Sequence, residues 1–454
     1  MKNKLYFQVT CCRTGSPKVG PLYVVVMFHV ILLQIFSDGV AAMSQGVLER
    51  QDDVYSTTLN FTLLGDELAS SAGGLSTFNM KLAIHLAEQP DVKVTFFIPE
   101  GACTHEQKKT AESYGITVVE AKKRPGYDRH DWLSFPPQDL NTDVVIGHGM
   151  KLGHQGQVFK CRKWVQVVHT APEQLGMFKN SSSAVSKAGS KHEIEVDLCK
   201  LADLVVPVGP KLAEAYSSCL RTKKAQDTFV LTPGLFEEFA DLKQDPNDSS
   251  EFKVLLCGRG DSEDFELKGY DIGAEAFAEE ELKEKPYRLL FVGAPDGEVD
   301  KVARKLLEHK IAEEQLTVRK FVQSRDKMKE LFCEVDLAIM PSRTEGFGLI
   351  ALEALSASLP ILVSGNSGFA RALRNLQNDK SCVVDSKEPK DWAKAIKTVR
   401  ERHGEELQEI RALRECYGKK YSWKKQCKDL VEKIRSMFDE INLRGMCSPD
   451  SYLK

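Results

Sequence analysis

None of the twelve cysteines is paired in the C-x-x-C spacing of a zinc or dithiol redox site, which removes both chemistries from first consideration. Cys257, inside the apolar run VLLCG, reads as a buried free thiol, and scattered thiols of this kind suit a reducing compartment better than a disulfide scaffold. A G-x-G-x-x-G fingerprint is missing after the first strand of either half. The stretch GRGDSED at 258–264 has the first two glycines and not the third, so a dinucleotide-dependent oxidoreductase ranks last. There is no excess of one charge. Lys and Arg number 62 against 65 Asp and Glu, a net charge of −3, which excludes the global basic field that would gather nucleic acid. Nor does any apolar run reach the ~18 residues of a membrane span.

The longest apolar run, Leu22–Phe36 (LYVVVMFHVILLQIF), is broken by His29 and Gln34. Lys2, Lys4, Arg13 and Lys18 precede it and Val40-Ala41-Ala42 follows. Three readings fit: the core of a cleaved signal, a short anchor giving membrane contact through 22–36, or upstream sequence absent from the natural product, with Met43 as the start. Sequons at Asn60, Asn180 and Asn247 do not choose among them. Asn60, however, heads a strand expected to be buried, where a glycan would oppose folding, and this favours the cytoplasm.

What is present is an ordinary globular composition, 42% hydrophobic and 28% charged over 454 residues, enough for two domains. From residue 58 short apolar runs alternate with helical patterns. FTLLG, VKVTFFIP, ITVVEA, DVVIGH, WVQVVHT and DLVVPVG read as strands, and their lack of polar alternation suits strands covered on both faces. Phe78, Leu82 and Leu86 share one face of a helix between the first two. A polar, turn-rich stretch over 240–251 (DLKQDPNDSSE) reads as a linker. The pattern then restarts with FKVLLCG, RLLFVG, LTVRKFV, DLAIMP, LPILVS and SCVVD. The expected organisation is a leader over 1–57, a doubly wound α/β unit over 58–240, a second over 251–410, and a closing helical tail over 411–445. Trp392, Trp423, Val431, Ile434 and Met437 are packing candidates in the helical, charge-rich region 391–441.

In open parallel sheets ligands bind beyond the carboxyl ends of the strands, so the loops there carry the candidate chemistry. After DLAIMP comes PSRTEGFGLIALEAL, with Glu345 and Glu353 eight residues apart and Gly346 and Gly348 flanking Phe347. Glycines before a helix that begins near Leu349 suit an anion such as a diphosphate. Eight helical residues would span ~12 Å. The bland alternative, two solvated helix charges, is disfavoured by that context. After VLLCG, Arg259 and Lys268-Gly269 place two cations where they could clamp a diphosphate; the competing reading is an exposed loop balanced by Asp261, Glu263, Asp264 and Glu266. Gly73-Gly74 precede the first helix, which lets a ligand approach the backbone or marks a plain flexible turn. His148 and His169 each end a strand and could face a cleft, although a lone histidine is more often structural.

Taken together, Gly73-Gly74, VVHT with His169, LTPGLFEEF at 231–239, the Arg259…Lys268-Gly269 pair and EGFGLIALE at 345–353 resemble the retaining GT-B glycosyltransferases of the group 1 family, which includes glycogen synthase-like and phosphatidylinositol mannosyltransferase-like enzymes. The motifs run in the family's order over roughly 58–430, and YSWKKQCKDLVEKI (421–434) looks like its closing helix. The resemblance implies a GT-B fold and transfer of a sugar with retention from a nucleotide sugar, UDP- or GDP-linked, to an acceptor it does not name. It implies no further cofactor and no D-x-D metal site; the sequence has no D-x-D. By resemblance Arg259 and Lys268 would touch the diphosphate, the backbone of Gly346, Phe347, Gly348 and Leu349 phosphate and sugar, and Glu353 the ribose. Glu345 and His169 would serve the transferred sugar as catalytic residues, with Gly74 near phosphate or acceptor. The first glycine loop, GDELASSAGG, is longer and more acidic than the family pattern. A GT-B domain without turnover, acting as a nucleotide or sugar sensor, is the competing reading, although Arg259, Lys268, His169, Glu345 and Glu353 are all in place.

Overall fold

In a computed structural model, residues 58–446 are described apart from 69–72, 179–183, 221–226, 246–250, 261–263, 284–286, 323 and 377–381. The apolar segment 22–36 and the sequons at Asn180 and Asn247 lie outside the described residues. Among the described residues no helix is long and apolar enough to cross a membrane.

Each of the twelve apolar runs read as a strand from residue 58 on becomes one. The first six are β1 (Leu59–Leu64), β2 (Val92–Pro99), β3 (Ile116–Ala121), β4 (Val144–His148), β5 (Lys163–Val168) and β6 (Leu204–Pro207). The second six are β7 (Phe252–Cys257), β8 (Tyr287–Ala294), β9 (Leu316–Lys320), β10 (Leu337–Met340), β11 (Ile361–Ser364) and β12 (Val383–Val384). The sheet orders are β3-β2-β1-β4-β5-β6 and β12-β11-β10-β7-β8-β9, and every pairing is parallel. The two sheets therefore share one doubly wound topology, each reversing direction beside its own first strand, between β1 and β4 and between β7 and β10. Crevices open beyond the strands at such switch points. The architecture is that of a GT-B fold.

Burial follows the composition. Strands β4, β5, β6 and β11 are buried along their whole length, as helices on both faces of a parallel sheet require. The edge strand β9 instead exposes Arg319 and Lys320, charges that discourage pairing with another chain. One apolar core holds Phe61, Phe78, Phe236, Phe347, Tyr417 and Trp423 together, so it runs from the first sheet across the crossing segment to one face of the second.

The chain ends in three helices, Pro389–Glu401, His403–Lys420 and Trp423–Met446, and the stretch expected as a closing helix over 411–445 spans the end of the second and most of the third. The last returns to the helix Gly74–Ala87, where Trp423 meets Phe78 edge-on at 5.5 Å and stacks on His85 at 6.0 Å. Gln426 clamps the crossing segment in both directions: Thr232 N donates to its Oε1 and its Nε2 donates to Thr232 O, each at 2.8 Å. Tyr417 donates its hydroxyl to Pro233 O at 2.7 Å. Trp423 is 4% exposed, so Trp423→Ala leaves a large void and is expected to cost about 3–5 kcal/mol, read as a lower midpoint of urea unfolding.

Candidate active site

Two loops of the second sheet and three strand ends of the first meet at one place. After β10 the chain passes through Glu345, which forms an extended bridge with Ser367, and its amide donates to Asn366 O at 3.2 Å. The helix Leu349–Ser356 starts only after Gly348, whose φ is 105°. Glu345 therefore lies in the loop before the helix and Glu353 inside it, so the ~12 Å span of eight helical residues does not describe the interval between them.

Gly346 explains the first glycine of the motif. A Cβ there would stand 2.2 Å from the carbonyl oxygen of His169, so any side chain would drive the two halves apart. Phe347, 5% exposed, packs its ring on Phe369 at 6.0 Å and lies against Gly209, while the Leu349 side chain lies 3.1 Å from the Cβ position of Gly74. Gly74, His169, Gly346, Phe347 and Leu349 are in this way brought together across the two sheets.

The charged groups occupy the same ends. Lys268 Nζ and Glu345 Oε2 are 2.6 Å apart, with side chains 27% and 20% exposed. Arg259, on the same loop as Lys268, is exposed and sits 3.5 Å from Asp264, so part of the loop's charge balance is internal. Lys211, on the helix Pro210–Ser217 of the first half, reaches across to donate to Thr344 Oγ1 at 2.7 Å, Glu345 O at 3.1 Å and Asn366 O at 2.7 Å. Two of these bonds hold the loop that carries Glu345 and the third holds Asn366 on the loop after β11, so all three ammonium protons are used. Burial pulls Lys211 down to about 8, against the opposing effect of the Glu345 charge. A polar cavity of about 350 Å³ adjoins this clamp, lined by Gln174, Lys211, Glu214, Asn366, Ser367 and Arg371.

Glu353 lies deeper than a solvated helix charge, at 3% exposure. Arg325 donates to its Oε1 at 2.5 Å, while its Oε2 has no partner among the described residues. Burial raises the Glu353 carboxyl above its usual range despite the nearby guanidinium. Arg325 also donates to Glu238 Oε1 at 2.8 Å, and Lys81 meets Glu238 Oε2 at 2.6 Å. Burial works against the Glu238 charge, but Lys81 and Arg325 together hold that carboxyl low. A chain of alternating charge, Lys81–Glu238–Arg325–Glu353, thus runs from the first half through the crossing segment to the second.

The two histidines separate. His148 is fully buried and faces inward, not into a cleft: its Nδ1 lies 2.9 Å from His169 Nε2 and its Nε2 2.8 Å from Asn79 Oδ1. His169 stands at the end of β5 against Gly346. Among the described residues no group of three or more His, Cys, Asp or Glu side chains is placed to hold a metal ion.

Residues 62–430 match the family described as "Family 4 Glycosyltransferase in conflict systems". The chain belongs to this family. The glycosyltransferase is similar to the D-inositol 3-phosphate glycosyltransferase of Nocardia farcinica, 24% identical over 434 residues that span 87% of this chain and 91% of the relative. It is also similar to that of Mycobacterium marinum, 26% identical over 354 residues, or 72% of each chain. Sucrose-phosphate synthase from Thermosynechococcus elongatus superposes with a TM-score of 0.65 at 17% identity, over 84% of this chain and 100% of the other. Anabaena HepE in complex with UDP and glucose superposes with a TM-score of 0.62 at 16% identity, over 83% and 100%. At such identities the superpositions speak to the fold, which is GT-B.

Sequence reading passed over Asn79, Lys81, Lys211, Glu238 and Arg325. Lys211 follows a strand end just as Arg259 does, and that position was the available signal; the partners of the other four come from distant elements.

Two outcomes are expected from this geometry. Arg325→Ala strands a buried carboxylate and should cost about 3–5 kcal/mol, measured as a loss of unfolding free energy. Glu195, 2% exposed, is pushed by burial from 4.5 up to about 8. The folded state therefore binds its proton more tightly, and stability falls as pH rises from 4.5 to about 8. Glu195→Gln should accordingly raise the melting temperature more at the alkaline end of that window than at the acid end, by thermal unfolding across it.

Proposed function

We propose that the glycosyltransferase takes a nucleotide sugar as donor, UDP- or GDP-linked, and moves the sugar to an acceptor hydroxyl with retention of configuration. The observation that carries this reading is the Lys268–Glu345 pair at 2.6 Å, on a loop whose glycine backbone lies against His169. A cation, a carboxylate, the His169 backbone and a glycine-fronted helix start meet there. The solved complexes of HepE with UDP and with UDP-glucose favour the uridine donor.

In this reading the donor diphosphate takes Lys268 and Arg259 as counter-charges, with Gly346, Phe347, Gly348 and Leu349 offering backbone N–H groups at the helix start. The ribose hydroxyls donate to Glu353 Oε2, the oxygen that Arg325 leaves unused. Glu345 and His169 serve the transferred sugar, and Gly74 borders phosphate or acceptor. As the bond from the anomeric carbon to the β-phosphate oxygen breaks, the acceptor oxygen forms its bond to that carbon. The acceptor proton leaves with the diphosphate, whose growing charge Lys268 and Arg259 stabilise. The polar cavity beside Lys211 offers room for a small polar acceptor.

Thermal shift and nucleotide release across a panel of nucleotide sugars, with hydroxyl acceptors that include D-inositol 3-phosphate, tests the proposal. Stabilisation and slow release with one donor are expected. Lys268→Ala and Glu345→Ala should each reduce release by ~100-fold or more while melting normally. Normal release by either variant removes these residues from the site. Stabilisation by a nucleotide without release under any acceptor would instead identify a sensor without turnover.

A further inference from the structure

The carboxyl edge of the first sheet carries a buried row of hydrogen bonds that crosses three strand ends. Asn79, on the helix Gly74–Ala87 and 1% exposed, donates from Nδ2 to Leu64 O at the end of β1, at 2.9 Å. A backbone carbonyl can only accept, so this bond sets the orientation of the amide and turns Oδ1 toward His148 Nε2, 2.8 Å away. Oδ1 can only accept as well, so Nε2 of His148 carries a proton. A neutral imidazole protonated at Nε2 has a bare Nδ1. That nitrogen faces His169 Nε2 at 2.9 Å, and the bond forms only if His169 Nε2 carries a proton. His169 Nδ1 is then the bare nitrogen. Phe78 braces both rings, edge-on to His169 at 5.0 Å and to His148 at 6.3 Å.

We infer that Asn79 and His148 are positioning residues that fix the tautomer of His169, presenting its Nδ1 as a hydrogen-bond acceptor for a sugar hydroxyl. The consequence for transfer rests on the proposed place of His169 beside the donor sugar. Burial holds His148 well below its ordinary value and His169 at about 4, so both rings stay neutral and the row keeps a single polarity. His169 in this state orients a hydroxyl and is a poor proton acceptor, which separates it from a general base.

The full chain labelled with ¹⁵N-histidine tests the tautomer directly. His169 signals, assigned by their loss in His169→Ala, should show an unprotonated Nδ1 and a protonated Nε2 in the unsubstituted protein. That measurement needs no substrate. In Asn79→Leu the acceptor for His148 Nε2–H is gone and nothing fixes the His148 tautomer. His169 should then show signals of both tautomers, and kcat for UDP release from UDP-glucose should fall about ten-fold or more with a much smaller change in KM. A protonated Nδ1 in the unsubstituted chain overturns the inference, whether or not the variant folds. So does Asn79→Leu with both signals and kcat unchanged. Normal turnover by His169→Ala would instead overturn the place of His169 in transfer, a failure the NMR result keeps distinct.

Discussion

The cleft depends on one close approach, the backbone of Gly346 against the carbonyl of His169, where a Cβ would stand 2.2 Å from the oxygen. Because no side chain intervenes, the loop after β10 of one sheet comes flush with the strand ends of the other. Phe347 and Leu349 then insert against Gly209 and Gly74, and Lys211 can span the gap with three hydrogen bonds. Parallel sheets made of buried β-branched strands supply the rigid edges this contact needs.

Around that contact the protein places charge at graded depth. Arg259 is exposed, Lys268 and Glu345 are partly buried, and Glu353 is almost fully buried. The depth sets the energetics. An exposed pair contributes little, whereas Glu353 is tolerable only because Arg325 meets it at 2.5 Å, and Arg325 in turn is held by Glu238 and Lys81. This alternating chain passes through the crossing segment, the same stretch that Gln426 and Tyr417 fasten to the closing helices. A change in the relation of the two halves would therefore disturb a buried ion pair as well as apolar packing.

The first half adds a neutral counterpart. Asn79, His148 and His169 form a hydrogen-bonded row, and burial keeps it uncharged. Charged groups cluster on the second sheet and a neutral polar row on the first, so the two walls offer different chemistry to a ligand between them. In the proposed function one would meet an anionic leaving group, the other hydroxyls.

Local pattern determined much of this protein. Apolar β-branched runs at regular spacing specify twelve strands, their separation by helical stretches specifies parallel sheets, and glycines before helices mark the loops at the strand ends. Those signals reside in neighbouring residues, which is why EGFGLIALE and Arg259…Lys268 could be read as a group. Pairings between distant residues were not legible. Nothing near Glu353 indicates that Arg325 buries with it, nothing near His148 indicates that it turns inward to Asn79, and Lys211 lies 134 positions from the carbonyl of Glu345 that it holds. Tertiary structure alone decided these, because desolvation and hydrogen-bond satisfaction depend on which elements meet in space, and periodicity along the chain carries no record of that.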